Sequence, residues 1–182
     1  MTKMTEEHVG LSELLDRQAI RDVVLRYCRG IDRMDRDLVR ACYHSDAIDH
    51  HVGFSGTVDE FIEWCWPGLA QMHGTRHVMS NHLCEVSRDA AVAESYVLTY
   101  HWGDPADGLS RNFVGHGRYV DRFERREDRV WRIAERRVIA ELITEIGIPP
   151  GSPGSGPVPG RGDRTDPVYA MASELDGDGV IG

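Results

Sequence analysis

LSELLDRQAIRDVVLRYCRG, residues 11–30, reads as one long helix. Apolar side chains fall at Leu11, Leu14, Leu15, Ile20, Val23, Val24, Tyr27 and Cys28, with Ile31 just beyond. This is the i, i+3, i+4, i+7 stripe that lays one face of a helix on a core. Gly30 is a natural stop, because glycine tolerates the left-handed cap conformation. Past residue 75 the period changes. RHVMSNHLCEVS (76–87), AAVAESYVLTYHWG (90–103), RNFVGHGRYVDRFER (111–125) and RVWRIAERRVIAELI (129–143) are rich in β-branched and aromatic residues, and several parts alternate. SRDA and REDR make hairpin turns, and GDPADG makes a longer turn-rich loop. Helices first and a meander of strands afterwards is an α+β pattern, with helices on one face of an antiparallel sheet.

Two shorter helices complete the first half. One is expected over Asp37–Tyr43. The other lies in SGTVDEFIEWCWPGL (55–69), where Thr57 can cap the helix and Glu60 sits three positions later in capping-box spacing. Phe61, Trp64 and Cys65 share a face of it, and Pro67 can kink or interrupt it. The domain is expected to end at residue 148. From Pro149 onward PPGSPGSGPVPGRGDRTDP is nearly all Gly, Pro, Ser and charge, so residues 149–182 read as a flexible tail. The RGD inside it, at 161–163, reads as coincidental.

The totals narrow the function classes. A chain of 182 residues holds one domain with a substantial core. Twenty-one Lys and Arg against 30 Asp and Glu give a net charge of −9, which argues against a nucleic-acid footprint. No apolar run is long enough to cross a bilayer, and the N-terminus lacks a basic segment followed by an apolar one, so a cytoplasmic location is expected. Cys28, Cys42, Cys65 and Cys84 lie far apart with no C-x-x-C pair, which suggests free thiols rather than zinc or disulfides.

HGTRHVMSNH, residues 73–82, concentrates three of the nine histidines. His73 and His77 have the spacing of a helical metal site, but the H-E-x-x-H glutamate is missing and no third ligand can be named. No metal is expected. As a strand, the segment turns His77, Met79 and Asn81 one way and His82 the other. A histidine facing a cavity is a reasonable general base, since its ordinary pKa lies near neutrality, provided a carboxylate fixes its tautomer.

DRQAIRDVVLRYCRGIDRMDRDLVRACYHSDA, then FSG and DEFI, then HGTRHVMSN, then GRYVDRFERR and VWRIAERR resemble, in order and spacing, the SnoaL-like branch of the nuclear transport factor 2-like superfamily. The resemblance runs from about Leu11 to Ile146. It implies a cone-shaped α+β barrel: three N-terminal helices packed on a curved, mostly antiparallel sheet that encloses an apolar pocket. It also implies homodimers or higher homo-oligomers. Similar enzymes, such as scytalone dehydratase, bile acid 7α-dehydratase and hexachlorocyclohexane dehydrochlorinase, perform eliminations with a His–Asp pair and no cofactor.

Carried over by position, the resemblance makes Asp32 and His77 the catalytic pair, with Tyr27 as a hydrogen-bond donor and Arg136 as an electrostatic partner. Arg137, adjacent to Arg136, should point to the other face. Asn81, Tyr96, Leu98, Tyr100, Gly117, Tyr119 and Trp64 would line the pocket. His101 and His116 would face away from it, while His51, sharing strand parity with Asp49, could reach the rim. Helical geometry puts positions 27 and 32 roughly 140° apart, so their convergence would need the chain to turn near Gly30. The implied function is a cofactor-independent, dehydratase-type lyase acting on a small hydrophobic cyclic substrate. The alternatives are an isomerase or cyclase of the same fold, and a non-catalytic ligand-binding or dioxygenase small-subunit-like module.

Overall fold

The computed structural model describes residues 10–149 and 156–174. Helix α1 spans Leu11–Arg33, α2 Arg36–Ala41 and α3 Val58–Ala70; strands β1 and β2, Tyr43–His51 and Phe54–Thr57, come before α3. After α3 follow β3 (Gly74–Ser87), β4 (Ala90–Trp102), β5 (Phe113–Arg125) and β6 (Trp131–Glu145). A single 3₁₀ turn at Pro105–Ser110 fills the GDPADG loop, and α4 (Pro167–Ser173) lies in the C-terminal segment. The strands form one curved, open sheet in the order β2-β1-β6-β5-β4-β3. Every neighbouring pair is antiparallel except β1 and β6, which run parallel. The α+β class stands, with two strands added to the meander, a fourth helix, and a sheet that curves without closing. None of the described helices is long and apolar enough to cross a membrane.

Helix α1 does not stop at Gly30. It runs one turn further and ends at Met34, whose φ of 57° is left-handed, and the N–H of Asp35 closes the turn on the carbonyl of Gly30 at 2.8 Å. Asp35 then caps α2 by accepting from the N–H of Leu38 at 3.1 Å. Gly30 serves a different purpose from the one its type suggests. A Cβ there would lie 2.7 Å from Cγ2 of Val39 and 3.0 Å from its amide nitrogen, so the glycine lets α2 fold back against α1. The capping box of α3 forms as the sequence indicates, Thr57 and Glu60 each bonding the other's backbone N–H. Pro67 is accommodated without ending that helix.

The apolar stripe of α1 enters the core only from Ile20 onward. Ile20, Val23, Val24, Tyr27, Cys28 and Ile31 are buried, whereas Leu11, Leu14 and Leu15 are more than half exposed. With Phe61, Ile62 and Trp66 of α3 and Val97, Tyr119, Phe123 and Ile133 of the sheet, they make a core on the inner, concave side.

The composition of residues 149–182 points to a flexible tail, yet 156–174 lie against the domain. Val158 donates to the carbonyl of His73 at 2.9 Å and Gly162 to that of Arg33 at 2.8 Å. The Arg161 guanidinium reaches the carbonyls of Leu69 and Met72, at 3.0 and 3.2 Å, and Asp166 pairs with Arg33 at 2.8 Å. Composition measures the apolar area a segment can bury; it misses these backbone carbonyls, which a tail arginine and two amides satisfy. Residues 150–155 and 175–182 of the expected tail lie outside the described residues.

The helix contact at Gly30 is open to test. Helix propensity alone favours Gly30→Ala by about 1 kcal/mol. Overpacking against Val39 should reverse that sign and cost about 1–3 kcal/mol in urea unfolding. A variant as stable as the parent would remove the close approach as the reason for the glycine.

Candidate active site

Asp32 sits in the last turn of α1 and His77 near the start of β3, and the two meet. Nδ1 of His77 lies 2.7 Å from Oδ1 of Asp32. The backbone N–H of His77 donates to both carboxylate oxygens, at 2.9 and 3.2 Å, and the Thr75 hydroxyl donates to Oδ1 at 3.1 Å. A carboxylate accepts only, so Nδ1 carries the hydrogen and Nε2 keeps its lone pair. The side chains are 7% and 14% exposed. Among the described residues Nε2 has no hydrogen-bond partner, which leaves it for a bound molecule.

His77 lines a cavity of about 220 Å³ between α1, α3 and the concave face of the sheet. Tyr27, Phe61, Trp64, Leu69, Val97 and Tyr119 supply much of the wall, and it is predominantly apolar. Asp32 is not part of this wall. Both Tyr27 and Asp32 belong to α1, and no bend at Gly30 brings them together. The angle between them turns Tyr27 to the apolar cavity and Asp32 to the back of His77. Burial, reinforced by Tyr119 beside it, pushes the Tyr27 phenol well above its ordinary pKa, so it stays a donor. Burial likewise pushes the Cys65 thiol in the wall up to about 12, too high for a thiolate nucleophile near neutrality.

Arg136 does not reach the cavity. It is fully buried, and its guanidinium makes two 2.7 Å bonds to the carboxylate of Asp121, also fully buried. Its central carbon Cζ lies 4.0 and 4.1 Å from the ring centres of Tyr27 and Tyr119. The charge already spent on Asp121 cannot bind a substrate anion directly; it acts through the two rings, which do line the wall. Arg137 is exposed and pairs with Glu135 at 2.7 Å.

Trp64, Tyr119 and Gly117 line the cavity, whereas Leu98 and Tyr100 do not. His77 pairs with Thr99 across the β3–β4 ladder, so Val97, Thr99 and His101 share its face and Tyr96, Leu98 and Tyr100 take the other. Asn81 and Tyr96 instead line a separate cavity on the outer side, together with Glu94. Asn81 is displaced by a bulge. Met79 pairs with Val97 but His82 with Ser95, so one extra residue is inserted and the parity flips. His82, expected to point outward, instead holds the fully buried Ser95 hydroxyl at 2.8 Å.

Three further histidines line the cavity: His51, His101 and His116. His51 stacks on Phe61, ring centres 4.4 Å apart, and its Nδ1 is held by Asp49. Asp49 is fully buried and also accepts from the Tyr43 hydroxyl at 2.7 Å. This second histidine–carboxylate pair was legible only as the shared parity of positions 49 and 51. His101 stands edge-on to His77, centres 6.1 Å apart, and gives its Nδ1 hydrogen to the carbonyl of Thr99 at 3.0 Å. His116 bonds the Thr144 hydroxyl at 3.1 Å. A second register shift, between His116 and Gly117, brings neighbouring positions 115–117 to the wall. Among the described residues no three His, Cys, Asp or Glu side chains gather as a metal-binding group.

Comparison with known proteins matches this chain, over residues 12–137, to a family model described as the SnoaL-like domain. Among solved structures, hexachlorocyclohexane dehydrochlorinase LinA-type3 from Novosphingobium barchaimii superposes with a TM-score of 0.65. The two are 20% identical, over 75% of this chain and 93% of that one. A protein from Novosphingobium aromaticivorans provisionally named scytalone dehydratase gives 0.64 at 20% identity, covering 81% and 96%. A Mycobacterium tuberculosis protein of unknown function gives 0.61 at 22%, covering 70% and 77%. At these identities the likeness is one of fold. No curated protein matches the chain in sequence.

The electrostatics of the wall carry a measurable signature. Burial, with His77 beside it, lowers the His101 imidazole from its ordinary 6.5 to about 4. Between those two pH values the unfolded chain takes up a proton that the native state refuses. Stability from this group is therefore complete above about pH 6.5 and declines as pH falls toward 4, by on the order of 2–3 kcal/mol. His101→Gln should flatten that part of the stability profile; identical slopes for parent and variant would contradict the assignment.

Proposed function

The chain belongs to the SnoaL-like domain family, and from that membership we propose that it is a cofactor-independent lyase. The reading is a dehydratase-type elimination on a small, hydrophobic, cyclic substrate. One observation carries it: a histidine whose Nδ1 is fixed by a carboxylate, with Nε2 unoccupied, in the wall of an apolar, aromatic-lined cavity. A cavity of about 220 Å³ suits a small molecule, and its phenols and imidazoles supply the few polar groups such sites need.

In this mechanism Nε2 of His77 removes a proton from a carbon next to a carbonyl, and Asp32 stabilises the imidazolium that results. The electron pair of the broken C–H bond forms the new double bond, and the leaving group departs with the pair of its own bond. Tyr27 donates to the substrate oxygen on which negative charge develops, and the Arg136 cation against its ring makes the phenol a stronger donor. A departing hydroxyl takes the proton that His77 has just removed, so it leaves as water and the imidazolium held by Asp32 returns to its neutral form. The apolar wall keeps water away and strengthens each of these interactions.

Isomerisation is the second reading, and one feature favours it: His51 and His116 put further imidazoles in the wall beside His77, through which a proton can be passed to another carbon. We extend the proposal to a homodimer through the convex sheet face, where Leu83, Val92 and Tyr96 are exposed, by 71%, 53% and 40%. Sedimentation of the full chain should then give twice the monomer mass, and a monomer at high concentration would refute it.

The chemistry is tested with a panel of cyclic β-hydroxy ketones, following enone absorbance and, in D₂O, deuterium uptake at the α-carbon. His77→Ala and Asp32→Asn should each lower turnover by about 10²–10⁴ while leaving the fold intact. Either variant keeping near-normal activity would sink the mechanism. α-Deuteration without enone would favour isomerisation.

A further inference from the structure

Behind Asp32 and His77, away from the apolar cavity, lies a second cavity of about 290 Å³. Arg29, Arg33, Arg76, Trp102, Cys28 and Val158 are among the residues that line it. Its polar groups are overwhelmingly donors. Nε and Nη2 of Arg29, Nε of Arg33 and Nε1 of Trp102 are buried without an acceptor among the described residues. Arg29 lies over the ring of Tyr169, 5.1 Å from its centre, and neither it nor the exposed Arg76 has an ion pair among the described residues. Arg33 alone has a carboxylate, Asp166.

The acceptors nearby are already engaged. Asp32 borders the cavity, but its oxygens take bonds from Thr75 and from the ring and backbone of His77. Burial pushes the Cys28 thiol up to about 12, so it contributes no negative charge near neutrality. Buried donors without acceptors are costly, and a chain of net charge −9 has no general reason to gather three arginines and an indole N–H around one space. An anion in the cavity would supply the kind of acceptor that these residues lack.

We propose that this cavity is a binding site for an anionic group, a carboxylate or a phosphate, held by Arg29, Arg76 and the Trp102 indole with Arg33 in support. Guanidinium and indole N–H groups suit the planar or tetrahedral oxygens of such groups. A ligand bound here places its acid group against the rear of the Asp32–His77 pair. The site does not depend on the elimination reading, because anion binding is a property of the resting protein and is measured without turnover.

The test uses the full chain, titrated with inorganic phosphate by ³¹P NMR and with benzoate by calorimetry. Saturable one-site binding that weakens with added salt is expected for at least one of them. Arg29→Gln should weaken it about tenfold or more, and Arg76→Gln and Trp102→Phe several-fold each. Arg76 is exposed, so its replacement tests the cavity without disturbing the core should Arg29→Gln fail to fold. Displacement of phosphate by benzoate identifies a carboxylate ligand, and phosphate binding that benzoate leaves untouched identifies a phosphate. The proposal is overturned if neither anion binds up to about 20 mM. It is equally overturned if binding is unchanged in folded Arg76→Gln and Trp102→Phe.

Discussion

Arg136, fully buried between the rings of Tyr27 and Tyr119 and bonded twice to Asp121, joins α1, β5 and β6 at the floor of the cavity. Taking two charges out of water costs several kcal/mol per ion, so such a pair persists only where its geometry is over-determined. Here two short bonds fix the guanidinium plane, and an aromatic face lies close to its central carbon on α1 and another on β5. Asp49 is its register partner on β1 and ties that strand's His51 to the same floor. The helix that carries Asp32 is thereby set against the sheet that carries His77, four positions along from β1 in the strand order. A core of aliphatic residues could have buried as much area, but it would have specified the rotation of α1 less sharply.

What was legible in the sequence follows from which forces are local. The stripe of α1 from Ile20 onward, the capping box of α3 and the period of the later strands depend on neighbours within a few residues, and they stand. The pairing of Asp32 with His77, 45 positions apart, came from resemblance; no periodicity contains it. The facing of β4 does not follow from its own sequence, because parity is transmitted across a ladder from one strand to the next. One unsuspected inserted residue near Asn81, and a register for β4 taken one position off, reverse every side chain downstream. Hence Leu98 and Tyr100 gave way to Thr99 and His101. The residue type of Gly30 permits a helix stop, whereas the need for a glycine there arises from Val39 on the next helix.

The histidines show the same division. HGTRHVMSNH draws the eye because its three histidines are close in sequence, but only His77 of that stretch lines the apolar cavity. The others that do, His51, His101 and His116, come from three different strands and have no linear signature. Their shared wall is a product of sheet curvature, which pattern alone does not reveal.

The segment 156–174 gains its place by tethering. Its individual contacts (an amide on a carbonyl, an arginine on two more, an exposed pair between Arg164 and Asp35) are each weak in isolation. A short covalent connection to β6, however, presents them at an effective concentration on the order of millimolar, where even weak contacts need no separate encounter. A chain trimmed at residue 148, where the composition turns to Gly and Pro, would therefore lose more than an inert appendage. It would take one donor each from the carbonyls of Arg33, Leu69, Met72 and His73 and remove Val158 from the wall of the arginine-lined cavity.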